Sequence, residues 1–191
     1  MRKILLILLL FPLYCSAQVD LKSEYLQEDR IDESTHDTIK RTFWMVLEHA
    51  NLSRHLNTFF RISYISGQYF LDLKIMEGGD SFVVAKNAEF KLKLERDIVV
   101  TLYNEDYQKS CIGCGAKGNW GNGAQGVTLS FRMYDFDLSM LMNYYVEKVR
   151  LYCEDGFLER KVNDQHSELL MDQIYLVYNS VSAYKKYKMQ L

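Results

Sequence analysis

Apolar and polar positions alternate with a period of two along much of this chain, and the period lengthens to that of a helix towards its end. Val127, Leu129, Phe131 and Met133 alternate with Thr128, Ser130 and Arg132, which predicts a strand with one face buried. Tyr145 to Cys153 and Phe157 to Val162 flank Asp155-Gly156. An Asp-Gly pair between two strand-like runs predicts a hairpin, since both turn residues must tolerate positive φ. Asn163 and Asp164 can then cap a helix that places Leu170, Ile174, Val177 and Val181 on one face.

Upstream, Phe59 to Ile65 and Tyr69 to Met76 flank Ser66-Gly67-Gln68, the pattern of a second hairpin. In its second arm Tyr69, Leu71, Leu73 and Ile75 make a uniformly apolar face. Phe82 to Ala85, Phe90 to Leu94 and Ile98 to Tyr103 predict three further short strands, the last two joined across Glu95-Arg96-Asp97. The run from Asp37 to Glu48 fits a helix through Ile39, Phe43, Val46 and Leu47, but its β-branched and aromatic density favours a strand. Runs of this kind, with no strand–helix alternation, predict an α+β fold: a mainly antiparallel sheet of about seven to nine short strands with the C-terminal helix on one face. A short helix is expected at Leu138 to Asn143, capped by Asp135.

Composition narrows the class. A 48% apolar fraction, 14% aromatic residues and a single proline, Pro12, describe a chain with a packed core. Met1 to Ala17 has the anatomy of a secretory signal: Arg2 and Lys3, an apolar run from Ile4 to Leu13, then Cys15-Ser16-Ala17 before Gln18. The run is too short to span a bilayer. Lipid attachment at Cys15 is the alternative, and the bulky Tyr14 before it disfavours that reading. Export to the periplasm or beyond is therefore expected. Residues 18–34 are polar and without period and predict an irregular lead-in, residues 35–184 a single domain, and residues 185–191 a basic tail. In that tail region Lys185, Lys186 and Lys188 interleave with Tyr184 and Tyr187, charges that suit a helix C-terminus. The whole chain has 23 basic and 25 acidic residues; without Arg2 and Lys3 the charge falls from −2 to near −4. That balance argues against nucleic acid as a partner.

Asn104 to Gln125 interrupts the strand pattern and, with its border at Gly126, holds six of the ten glycines. A loop this long is functional or disordered, and it carries the candidate partner-binding residues Lys117, Asn119, Trp120 and Asn122. Cys111 and Cys114 have redox-dithiol spacing, but no helix follows Cys114 to lower a thiol pKa, so a structural disulfide is the preferred reading. Thiol exchange and metal binding stay open as alternatives, the latter needing Cys153 and one of His36, His49, His55 or His166. Cys153 itself is expected to be buried and unpaired beside Val149 and Leu151. Gly113 to Gly118 satisfies G-x-G-x-x-G without the βαβ setting that gives the motif its mechanism, so no nucleotide cofactor is expected. No Gly-x-Ser-x-Gly setting is present and no catalytic residue is assigned.

Gln68 to Ile75, Ile98 to Asn104, Cys111 to Ala116, Gly123 to Val127, and Val149 to Tyr152 with Asp155-Gly156-Phe157 together resemble a group of small exported bacterial proteins with no assigned activity. The resemblance spans roughly residues 35–178 and implies an exported domain. The expectation is a non-enzymatic binding or accessory module of the cell envelope, meeting a protein, small molecule or glycan through the Gly-rich loop. A redox or metal protein built on Cys111 and Cys114, and a hydrolase, are the alternatives.

Overall fold

The computed structural model describes residues 26–49, 57–116 and 123–188. The leader, Cys15, His55, and Lys117, Asn119, Trp120 and Asn122 lie outside the described residues.

The alternating runs become antiparallel strands. One sheet joins β1 (Leu26–Ile31), β2 (Thr38–Thr42), β4 (Asn57–Ile65), β5 (Gln68–Glu77), β11 (Gln125–Met133) and β10 (Cys111–Ile112) in that spatial order, with β3 (Met45–His49) also paired to β4. A second joins β13 (Gly156–Lys161), β12 (Val146–Cys153), β7 (Glu89–Leu94) and β8 (Val99–Tyr103). A third is a two-residue ribbon of β6 (Val83–Val84) with β9 (Gln108–Lys109). The single sheet expected from the sequence is thus divided into three. Asn104 bridges Phe131 where the two large sheets meet, and the rings of Phe90 and Phe131 pack across the joint with centroids 5.0 Å apart.

Two helices close the core. α1 (Asp135–Asn143) starts after Tyr134, and Asp137 rather than Asp135 caps it, its Oδ2 accepting the Tyr134 N–H at 2.8 Å. α2 (Asp164–Lys188) begins at Asn163, whose Oδ1 accepts the His166 N–H at 2.8 Å as expected of a cap. Its apolar stripe faces inward: Leu170, Ile174, Val177 and Val181 are buried together with Leu71, Leu129, Val149 and Leu151 in one core. Ser167 on the same face accepts the Val146 N–H at 2.6 Å, fixing the helix to β12. At the far edge Arg160 of β13 reaches Glu77 of β5 and Glu48 of β3, tying the second sheet to the first.

Several boundaries move. The second half of the expected lead-in is strand β1, and Leu26 belongs to the core, so the domain begins upstream of residue 35. The helix runs through Lys188, into the stretch expected to be a tail. The two hairpin turns also shift by a residue. Ser66 and Gly67 alone join β4 to β5, with φ of 51° and 88°, the positive pair that a primed two-residue turn requires. Glu154 and Asp155 form the other, and Gly156 opens β13.

Candidate functional site

The segment expected to be a free excursion is tied down at its root. Asn104 is buried and donates from Nδ2 to the Ala85 carbonyl at 3.1 Å, and the Glu105 N–H meets the Ser130 carbonyl at 3.1 Å. Ser110, also buried, accepts the Phe82 N–H at 2.8 Å through its hydroxyl and returns its own N–H to the Phe82 carbonyl. Cys111 and Ile112 then pair with Gly126 and Gln125 as an edge strand. These short pieces have no periodicity to betray them in the sequence.

Cys111 and Cys114 form a disulfide, their Cα atoms 5.2 Å apart, within the usual range. The bridge closes a turn in which the Cys114 N–H donates to the Cys111 carbonyl at 3.1 Å, and among the described residues no helix follows it directly. Two glycines let this turn lie flat on the sheet. A Cβ at Gly115, which has φ +107°, would stand 3.0 Å from the Ile75 carbonyl oxygen, and one at Gly126 would stand 2.6 Å from that of Cys114. Both obstacles are backbone. Gly126→Ala should therefore lift the turn and destabilise the domain by about 1–3 kcal/mol, seen as a lower melting temperature and faster reduction of the disulfide by dithiothreitol; an unaltered reduction rate would show that the turn does not depend on this contact.

Beneath the turn, on the outer face of the first sheet, Phe59, Met76 and Ala124 form a small buried apolar cluster with Trp44 and Val46 at its side. The next positions along that face are charged. The Arg61 guanidinium and the Lys74 ammonium lie 4.5 Å and 4.7 Å from the Trp44 ring centre, a cation–π arrangement with two cations. Arg61 also donates from Nε to Asp72 Oδ2 at 2.8 Å. Asp72, 7% exposed, further accepts from the hydroxyls of Ser63 and Ser130, each at 2.7 Å. Lys74 Nζ lies 3.5 Å from the Ala116 carbonyl, which places the Trp44 group directly against the disulfide-closed turn. Sequence reading found the cysteines and missed Trp44, Arg61, Asp72 and Lys74. The two-residue turn at Ser66-Gly67, counted outward, sets Arg61 opposite Asp72 and was the available signal.

The remaining candidates are dispersed. Cys153 is half-buried rather than buried, forms no disulfide among the described residues, and burial pushes its thiol up to about 11. A shallow pocket of about 370 Å³ between β3 and the start of α2 is lined by Trp44, His166, Glu168 and Asp172 among others, the two carboxylate residues being exposed. Among the described residues no group of His, Cys, Asp and Glu is placed to hold a metal ion, and no helix is long and apolar enough to cross a membrane. No family model, curated protein or solved structure matches the chain.

Proposed function

We propose that this is an exported, non-enzymatic binding module of the cell envelope that meets a protein or glycan partner with the segment 104–125 and the sheet face beside it. One observation carries the reading: Ile112, on an edge strand held by the disulfide and by its pairing to β11, is 71% exposed. A branched apolar side chain held out on an anchored edge is a feature of contact surfaces, where rigid presentation lowers the entropy lost on binding. Trp120, in the same segment, is an aromatic of the kind that anchors interfaces.

Ile112→Ser and Trp120→Ala should each weaken capture of the partner from an envelope extract by about tenfold or more, the range of an interface anchor, with the melting temperature unchanged. Equal capture by wild type and both variants would overturn the reading. The observed sulfur pairing also suits thiol–disulfide exchange at Cys111 and Cys114. An insulin-reduction assay on the reduced protein decides between the two, activity favouring exchange.

A further inference from the structure

We propose that the outer face of the second sheet is a docking surface for a linear acidic polysaccharide. The inward residues of β7, β8 and β12 enter the core and Leu158 of β13 packs against it, so the alternate positions face solvent in three rows across the strands. One row sets Lys148 directly opposite Lys161 on one side and Lys93 on the other, and the next sets Arg150 opposite Lys91. Like charges directly opposed across strands are unfavourable for the sheet. Five cations nonetheless stand in adjoining rows on this face, on a chain whose net charge is −2.

Carboxylates are interleaved with these cations. Glu159 accepts from Arg150 Nε at 2.8 Å and from Lys148 at 3.0 Å, Glu89 pairs with Lys91 at 2.8 Å, and Lys93 pairs with Asp97 at 2.8 Å and with Glu147 at 3.4 Å. Exposed pairs of this kind contribute little, so a ligand carboxylate can exchange into them. Lys161 has no ion pair among the described residues. The third row is aromatic: Phe157 and Tyr103 are 54% and 52% exposed, and Tyr152 stands 6.2 Å from Phe157.

Charge complementarity selects the occupant. Uronic-acid sugars carry carboxylates for the lysines and Arg150, C–H faces for the rings, and hydroxyl groups that Glu159 and Glu89 can accept from. A DNA phosphodiester backbone offers those two glutamates no hydroxyl group to accept from.

The test is affinity electrophoresis of the full protein through gels containing polygalacturonate, dextran or oligothymidylate. Polygalacturonate should retard the protein, less so as salt rises, and dextran should not. Lys148→Glu and Lys161→Glu should each weaken the retardation about tenfold, the second without any change in melting temperature because its side chain is exposed. The Cys111→Ser/Cys114→Ser variant should bind polygalacturonate as wild type does, which separates this surface from the loop. Retardation by dextran equal to that by polygalacturonate, stronger retention by oligothymidylate, or unchanged affinity in both lysine variants would overturn the proposal.

Discussion

Ile174→Asp should abolish the cooperative melting transition. Ile174 is fully buried at the centre of the α2 stripe, with Leu170 and Val177 equally excluded from water on either side. The substitution forfeits the burial of an isoleucine, about 1.5–3 kcal/mol, and adds a carboxyl group with no cation provided for it. Together these reach about 5 kcal/mol or more, comparable with the whole stability of a small domain. Thermal circular dichroism should show a broad, non-cooperative loss of signal. Tyr175→Asp, one position further round the helix where the side chain is 55% exposed, should melt close to wild type. A cooperative transition for Ile174→Asp within a few degrees of wild type would mean that α2 does not hold the two large sheets together.

That stripe was legible because a 25-residue helix repeats its apolar period several times. The same holds for β5 and β11, whose alternation survives over 10 and 9 residues. Legibility fails where the signal is a single residue or a distant contact. β1 is exposed along most of its length, so Gln27 to Ile31 show no buried face to read. Reading Ser66-Gly67-Gln68 as the turn leaves three residues between the arms. Pairing Ile65 with Tyr69 in that way would slide the register by one and set Arg61 against Leu73 instead of Asp72. Only the two-residue turn puts the polar positions of β4, β5 and β11 on one outer face. The way the two large sheets meet rests on Asn104 bridging Phe131, a contact that no local pattern encodes. The candidate site divides the same way: the cysteine pair was visible from spacing, whereas the anchoring of its loop depends on Ser110, Gly115 and Gly126 reaching strands far off in sequence.

Asp72→Ala should cost the fold about 2–4 kcal/mol and disturb Trp44 at the same time. The Asp72 carboxylate belongs to β5, accepts from Arg61 and Ser63 on β4, and accepts from Ser130 on β11, so a single side chain joins three neighbouring strands on their outer face. Removing it leaves two hydroxyls and a guanidinium without their acceptor in a largely dry position. Loss of one partner of a buried charge pair costs about 3–5 kcal/mol, and the lower figure applies because the Arg61 side chain keeps 21% exposure and can recover part of its hydration. Asp72→Asn keeps one carbonyl acceptor and the side-chain volume, so its loss should be smaller, about 1–2 kcal/mol. Arg61 sits 4.5 Å from the Trp44 ring centre because Asp72 holds its Nε. With the carboxylate gone the guanidinium is free to turn outward, and Trp44 emission should shift to the red. The chain has two tryptophans, so the spectrum is read in a Trp120→Phe background. A melting temperature and a Trp44 spectrum both unchanged in Asp72→Ala would show that backbone pairing alone sets the outer face, and that Asp72 neither braces the strands nor positions the cation beside the disulfide-closed turn.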